Sequence, residues 1–266
     1  MEQNTSGNNT STNRWVLITG ASSGIGLELA KVFAEHSWSL VLVARRLDAL
    51  NALAKDLQSK HGVSCLCLGI DLQSPHYLSE LRAATKDRIF DCVINNAGIG
   101  SIGEFAKEDA ATQGSLIHLN IKVLTELCRE FIPRIKLGGS LINVASIAGF
   151  IPGPYMAVYY ASKAYVLSLT ESLNYELRDK IHVMALCPGP VLTGFQKVAG
   201  MGELKKSDFI LTTARFNAEE CYRAMQRKQI HCIPGFMNRV ITKFIGRLPT
   251  SWVLNISARA MKLSRR

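Results

Sequence analysis

Seven short runs of apolar, strand-favouring residues recur along the chain, and segments long enough to form helices separate them. The runs lie at residues 15–19, 40–44, 64–70, 92–95, 140–145, 182–186 and 229–233. Parallel strands need a long crossover, usually a helix, and the helices then cover both faces of the sheet. The sequence therefore predicts an α/β fold, a doubly wound parallel sheet of about seven strands with helices on both faces.

The composition is that of an ordinary globular protein. Hydrophobic residues make up 47% and charged residues 20% of 266 positions, which excludes a disordered or fibrous chain. No run reaches the roughly 18 apolar residues of a membrane span, and residues 1–13 lack the apolar segment of a signal peptide. We therefore expect a cytoplasmic protein. The seven cysteines show no C-x-x-C pair or metal-ligand spacing with histidine, so no metal site is predicted.

Three regions differ in composition. Residues 1–13 are rich in Asn, Ser and Thr and are predicted to be a disordered leader. Residues 14–235 contain all seven runs without a linker and are predicted to form one catalytic domain. Residues 236–266 form a basic extension. The net charge of +10 lies entirely in the last 46 residues, which hold ten Lys or Arg and no Asp or Glu.

A glycine-rich turn joins the first predicted strand to a helical pattern. It has the spacing T-G-x-x-x-G-x-G over residues 19–26. Glycines allow a pyrophosphate to approach the backbone, and the N-terminus of the following helix supplies N–H donors. A dinucleotide site is favoured over a plain tight turn. The candidate cofactor contacts are Gly20, Ser22, Ser23, Gly24, Ile25 and Gly26.

Two arginines follow the second predicted strand and bear on the choice of nucleotide. NAD sites usually place an acid about 20 residues after the glycine turn, whereas a 2′-phosphate favours arginine. Arg45 and Arg46 stand at this position. A guanidinium binds phosphate in a bidentate manner. The alternative is two solvated side chains at the start of a helix, but their position favours NADP(H) over NAD(H).

Polar and small residues also follow the third and fourth strands. Asp71 and Leu72 come after one, and Asn96, Ala97 and Gly98 come after the other. Ligands of open α/β sheets bind beyond the carboxyl ends of the strands, so these residues are candidates for cofactor contact. Each is weak evidence alone, because Asn and Asp in turns often bind local backbone instead.

Tyr159 and Lys163 are the candidates for proton transfer. They are four residues apart in a helical pattern, so they share one face. A nearby ammonium favours the phenolate of a tyrosine, whose pKa is ordinarily near 10, and such a pair can donate a proton to a carbonyl. Ser146 follows the fifth strand, where its hydroxyl can reach the same region.

Taken in order, these motifs resemble the short-chain dehydrogenase/reductase family. The matching positions are the glycine turn at 19–26, N-N-A-G at 95–98, Asn120, Ser146, the Y-x-x-x-K pair, and Pro188-Gly189 followed by Thr193. Each motif is weak alone, but their joint order and spacing are specific, and the resemblance covers residues 14–235. It implies a Rossmann-type fold and NADP(H)-dependent hydride transfer between nicotinamide and a carbonyl or alcohol.

The resemblance also implies roles for individual residues. Tyr159 is expected to be the general acid or base, Ser146 to polarise the carbonyl, and Asn120 to anchor a water of the proton relay. Lys163 is expected to hold the nicotinamide ribose and to lower the pKa of the tyrosine.

The remaining implied roles concern the cofactor and the assembly. Asp71 and Leu72 are expected to flank the adenine, residues 96–98 to line its ribose, and Thr193 to touch the nicotinamide amide. Pro188 and Gly189 are included among the cofactor contacts. A homodimer or homotetramer is the family's usual assembly.

The C-terminal extension predicts two basic amphipathic helices, one ended by Pro249 and a second that starts near Ser251. Two interpretations stay open. Their apolar faces either pack over the substrate entrance or a partner subunit, or bind an anionic membrane peripherally. No motif accompanies the charge that would indicate nucleic acid.

The sequence thus predicts reduction of a ketone or aldehyde. Several apolar residues suggest an apolar substrate pocket: Ile147, Phe150, Ile151, Tyr155, Met156, Phe195 and Met201. The motifs do not identify the substrate. The alternative function is a non-catalytic NADP-binding sensor or a membrane-associated scaffold.

Overall fold

Seven parallel strands form one sheet in the order β3-β2-β1-β4-β5-β6-β9. The computed structural model describes residues 14–192 and 211–263. The strands are β1 (Trp15–Thr19), β2 (Ser39–Ala44), β3 (Cys65–Gly69), β4 (Phe90–Asn95), β5 (Ile135–Val144), β6 (His182–Leu186), β7 (Val191–Leu192), β8 (Thr212–Thr213) and β9 (His231–Cys232). The strand order reverses direction at β1, which is the topology of a doubly wound fold. The predicted fold class is confirmed.

Helices connect the strands and cover the sheet. They are α1 (Gly24–Glu35), α2 (Leu47–His61), α3 (Tyr77–Thr85), α4 (Ala110–Ile117), α5 (Leu124–Phe131), α6 (Ala157–Leu177), α7 (Ala214–Gln226), α8 (Phe236–Ile245) and α9 (Thr250–Leu263). A π-helical turn, His118–Val123, joins α4 to α5, and a 3₁₀ turn, Ile147–Phe150, follows β5.

Two apolar cores lie on opposite faces of the sheet. Successive side chains of a strand point to opposite faces, so Val16 and Ile18 join one core while Leu17 joins the other. The first core includes Phe33 of α1, and the second includes Phe131 of α5. Each fully buried side chain of this size stabilises the fold by about 2 kcal/mol relative to an exposed one.

Each of the seven predicted runs is a strand of the main sheet, but two details differ. β5 begins at Ile135 rather than at residue 140, because Ile135 pairs with Phe90 beyond an irregularity in the β4–β5 register. Its first residues include exposed Lys136 and Leu137 and therefore lack the pattern of a buried strand. The pair β7–β8 is a separate two-residue ladder, too short for an apolar pattern to predict.

Candidate active site

The turn between β1 and α1 leaves the N-terminus of α1 open to an anion. Gly20 and Gly24 have φ of 66° and 58°, in the left-handed region that favours glycine. The N-cap residue Ser23 makes no side-chain capping bond, and the first turn of α1 holds no acidic residue. A Cβ at Gly26 would lie 2.4 Å from the carbonyl oxygen of Gly20, so the turn folds tightly onto the helix. These features fit the pyrophosphate of a dinucleotide.

The two motifs after β1 and β4 are hydrogen-bonded to each other. The Thr19 hydroxyl accepts from the backbone N–H groups of Asn96 and Ala97, at 3.0 and 3.1 Å. Asn96 Nδ2 donates to the carbonyl oxygen of Thr19 at 2.8 Å. The side chain of Asn96 therefore holds residues 96–98 beside the glycine turn.

Arg46 reaches back from the end of β2 to the same turn. Its Nη2 atom lies 3.2 Å from the carbonyl oxygen of Ser22 and 3.3 Å from the Ser22 hydroxyl. Arg45 is exposed beside it. One of the two predicted arginines is thus brought directly to the predicted nucleotide-binding turn.

Asp71 and Leu72 follow β3 and differ in their surroundings. Leu72 is buried, whereas Asp71 is exposed. The Asp71 carboxylate accepts from the backbone N–H of Gln73 at 3.0 Å, which is the local turn bond that aspartate often makes.

Tyr159 and Ser146 come together at the carboxyl end of β5. Tyr159 lies in the first turn of α6, Ser146 directly follows β5, and their side chains are hydrogen-bonded. Burial raises the pKa of Tyr159 to about 12, and the bond to Ser146 offsets part of that rise. The Ser146 oxygen also accepts from Ala148 N at 3.1 Å and lies 3.3 Å from Pro188 O.

Lys163 lies one helical turn after Tyr159 and is buried. Its Nζ atom donates to the carbonyl oxygen of Val144 at 2.8 Å and lies 5.8 Å from the centre of the Tyr159 ring. Burial lowers the pKa of Lys163 to about 8. The resemblance led us to expect a lowered pKa for Tyr159, but here it is raised because burial outweighs the other influences.

Asn120 stands in the π-helical turn and is bonded on three sides. Its Oδ1 atom accepts from Ile99 N at 3.0 Å, and its Nδ2 atom donates to Ile99 O at 2.9 Å and to Ser162 Oγ at 3.1 Å. A Cβ at Gly98 would lie 3.2 Å from Asn120 Oδ1 and 3.6 Å from Lys163 Nζ. Gly98 therefore lies where the predicted cofactor contacts meet the predicted catalytic residues.

Several supporting residues escaped the sequence analysis. Ser162 fixes Asn120 and in turn donates to Tyr159 O at 2.7 Å. Below the site, buried Asn143 accepts from Asn95 and donates to Thr170. A buried polar side chain has no fixed spacing from the residues it supports, so no motif indicates such a network.

The Pro188-Gly189 motif packs against the C-terminal extension. Ile147 N donates to Pro188 O at 2.9 Å, which joins this segment to the turn after β5. A Cβ at Gly189 would lie 2.4 Å from Nδ2 of Asn238, a buried residue of α8 that the sequence analysis did not single out. Three predicted contacts, Thr193, Phe195 and Met201, lie outside the described residues.

The comparisons with known proteins agree with this arrangement. The family model described as short chain dehydrogenase matches residues 14–203. The chain belongs to the short-chain dehydrogenase/reductase family.

Its relatives are named as oxidoreductases. Sulfoacetaldehyde reductase 2 of Chromohalobacter salexigens is 34% identical over 200 residues, 73% of this chain and 79% of that protein. The 7beta-hydroxysteroid dehydrogenase of Clostridium sardiniense is 31% identical over 183 residues, 68% of this chain and 70% of that protein.

A solved structure extends the similarity to the fold. A short-chain dehydrogenase from Sphingobium yanoikuyae, in complex with NADPH, is 30% identical with a TM-score of 0.77 and covers 90% of this chain and 97% of that chain. The family and the open glycine turn together support an oxidoreductase that uses a nicotinamide cofactor for hydride transfer on a carbonyl or alcohol.

Proposed function

We propose that this protein is an NADP(H)-dependent carbonyl reductase that acts on apolar ketones or aldehydes. The observation that carries the proposal is the hydrogen bond between Tyr159 and Ser146, with buried Lys163 one turn further along α6. Two hydroxyl groups that meet in this way can together bind the oxygen of a carbonyl substrate.

In the proposed reaction, the bound nicotinamide supplies the hydride for reduction. Ser146 donates a hydrogen bond to the substrate oxygen, and Tyr159 gives that oxygen a proton as negative charge develops on it. With its pKa raised by burial, Tyr159 is protonated at neutral pH, and it can give this proton to the more strongly basic alkoxide that develops on the substrate oxygen.

Lys163 and Asn120 complete the proposed site. Lys163 holds the nicotinamide ribose, and Asn120 anchors a water through which the proton is replaced. The rigid fixation of Asn120 by Ile99 and Ser162 supports a positioning role.

NADP(H) rather than NAD(H) is proposed because of charge at the end of β2. Arg46 lies against Ser22, and Arg45 is exposed beside it, where a 2′-phosphate would be bound by guanidinium groups. The other cofactor contacts of the proposal are those of the glycine turn, Asp71, Leu72, residues 96–98, Pro188, Gly189 and Thr193.

The proposal extends to the organisation of the chain. Residues 14–235 form a single catalytic domain, preceded by a leader and followed by a helical extension at 236–266. We also propose a cytoplasmic homodimer or homotetramer, on the basis of the family.

The test is NADPH oxidation, followed in the near ultraviolet, with carbonyl compounds graded in chain length and ring size. We expect turnover that Tyr159→Phe lowers at least about a hundredfold while NADPH affinity stays within about twofold. Tyr160→Phe is the matched control, because its ring is adjacent, with ring centres 6.2 Å apart, and it should keep turnover. NADPH binding without turnover for any compound would favour the sensor or scaffold.

A further inference from the structure

The two C-terminal helices turn large apolar side chains outward. On α8, Phe236 is 74% exposed and Phe244 is 53% exposed, and on α9 Trp252 is 62% exposed. We define the C-terminal apolar surface as Phe236, Met237, Phe244, Leu248, Trp252, Leu254 and Ile256, all of which are exposed. Isolated exposed apolar residues are normal, but seven within 21 residues of sequence mark an interaction site.

The other sides of both helices attach them to the catalytic domain. Asn238 is buried and donates to the carbonyl oxygen of Pro234 at 2.8 Å. Val253 and Ser257 are buried, and the Ser257 hydroxyl lies 3.4 Å from the carbonyl oxygen of Pro152. Among residues 14–192 and 211–263, the catalytic domain thus contacts the sides of the helices that carry Asn238, Val253 and Ser257. A helical period groups Val253 with Trp252 and Ile256, yet Trp252 and Ile256 are 62% and 53% exposed.

Basic side chains accompany the apolar ones. Arg239, Lys243 and Arg247 on α8 and Arg259 on α9 are all exposed. The Arg247 guanidinium lies 5.6 Å from the centre of the Phe244 ring, so charge and apolar area are adjacent. No ion pair within residues 14–192 and 211–263 involves either helix. The sequence from residue 221 onward holds no acidic residue at all.

A basic cleft adjoins the same helices. It has a volume of about 240 Å³ and lies between α7, β9 and α8, with Arg223, Arg227 and Arg239 on its walls. Glu220 also lines it and pairs with Arg223, which leaves the cleft with an excess of positive charge. Such a cleft is suited to the phosphate of a lipid headgroup.

We propose that α8 and α9 dock the protein peripherally on an anionic lipid membrane. Exposed Phe, Trp and Leu next to Lys and Arg match an interfacial helix, because the apolar side chains enter the headgroup boundary while the cations attract anionic lipid. A symmetric contact between two copies would instead bring two basic surfaces together without acidic partners. Nucleic acid would match the charge but would leave the apolar side chains without a complementary surface.

The helices that carry the docking surface pack beside the proposed substrate region through their buried sides. Ser257 contacts Pro152, two residues after the 3₁₀ turn that follows Ser146, and Asn238 packs on Gly189. The docking itself does not depend on turnover, so its test can fail independently of the proposed function.

Co-sedimentation with vesicles of phosphatidylcholine alone or mixed with phosphatidylglycerol tests the proposal with the full chain. The double variant Phe244→Ser/Arg247→Glu removes an adjacent pair from the surface. Its matched control is Leu137→Ser/Lys180→Glu, which makes the same changes in type and charge at exposed positions before β6. Gly138 N donates to Lys180 O, so the control residues are also neighbours. Melting temperature and NADPH binding check that each variant is folded.

We expect binding to the anionic vesicles that falls at least about tenfold in the first variant and stays unchanged in the control. Tryptophan fluorescence should also shift to the blue on anionic vesicles, and Trp252→Phe should abolish the shift. Equal vesicle binding by both double variants would overturn the proposal. Absence of vesicle binding, together with self-association or RNA binding that Phe244→Ser/Arg247→Glu weakens, would also overturn the proposal.

Discussion

The guanidinium of Arg46 contacts Ser22 across the glycine turn, with Nη2 to carbonyl oxygen at 3.2 Å. The contact joins the end of β2 to the loop before α1, although 24 residues separate the two in sequence. It brings a positive charge to the loop that is expected to bind the cofactor, and an acidic residue at that position would instead repel a phosphate.

The first prediction concerns cofactor preference. We expect Arg46→Asp to lower the ratio of kcat/KM for NADPH to kcat/KM for NADH by about a hundredfold, because it removes a cation and adds an anion beside the 2′-phosphate. Steady-state kinetics with both cofactors and one carbonyl substrate measure the ratio. Lys55→Asp, the same charge change at an exposed position of α2, is the control and should leave the ratio unaltered. An equal ratio in both variants would show that Arg46 does not select the cofactor.

The second prediction concerns the buried charge of Lys163. Burial lowers its pKa from 10.5 to about 8, so between these values the unfolded chain binds more protons than the folded one. The free energy of unfolding should therefore rise with pH in this window, relative to Lys163→Met, by about 2 kcal/mol. Denaturant unfolding of the cofactor-free proteins between pH 8 and pH 10 measures the difference.

The control for Lys163 is Lys180→Met, a substitution of an exposed lysine. The difference in unfolding free energy between Lys180→Met and the unaltered protein, measured over the same pH range, gives the effect of losing an exposed lysine and is subtracted. A corrected difference for Lys163→Met that does not change with pH would contradict the lowered pKa of the buried ammonium.

The third prediction concerns Ser162, which positions Asn120. We expect Ser162→Ala to lower kcat by about tenfold with little change in KM for NADPH, because Asn120 loses one of its three bonds and the proton relay loses its geometry. Ser172→Ala is the control on the same helix, since the Ser172 hydroxyl bonds only the carbonyl oxygen of Ser168 among its described contacts. An equal kcat for both variants would contradict the positioning role. Ser162→Thr, which keeps the hydroxyl, should restore kcat.

The sheet could be predicted from the sequence because its strands are buried on both faces. In β2 all six residues are buried, and the short apolar run at residues 40–44, bounded by segments of helix length, favours a buried strand. β7 and β8 carry no such signal, since a ladder of two residues depends on the partner strand rather than on its own pattern.

Some residues of the candidate site could likewise be predicted from the sequence, and others could not. Residues that must touch a cofactor or substrate recur at fixed spacings, so Tyr159 and Lys163 could be identified from their separation taken together with the order of the other motifs. Ser162 contacts Asn120 and Asn238 contacts Gly189, and both partners are distant in sequence, so no local spacing indicates these contacts. The raised pKa of Tyr159 could not be predicted either, because residue spacing indicates which charges lie near a group but not how deeply that group is buried.

The last prediction separates a glycine required by close packing from one that is not. A Cβ at Gly26 would lie 2.4 Å from Gly20 O and 2.5 Å from Asn96 Nδ2, so the backbone of the turn must move. We expect Gly26→Ala to lower the free energy of unfolding by about 2 kcal/mol or more and to weaken NADPH binding. Chemical denaturation and a binding titration measure the two effects.

Gly114→Ala is the matched change, because Gly114 lies in α4 and a Cβ there meets nothing within 4 Å. Alanine stabilises a helix relative to glycine, so the free energy of unfolding should rise by up to about 1 kcal/mol with NADPH binding unchanged. If both substitutions destabilised the protein equally and neither changed cofactor affinity, the close contact of α1 with the turn would have no part in nucleotide binding. If Gly26→Ala lowers the free energy of unfolding and Gly114→Ala raises it, the requirement for glycine at position 26 is due to that contact.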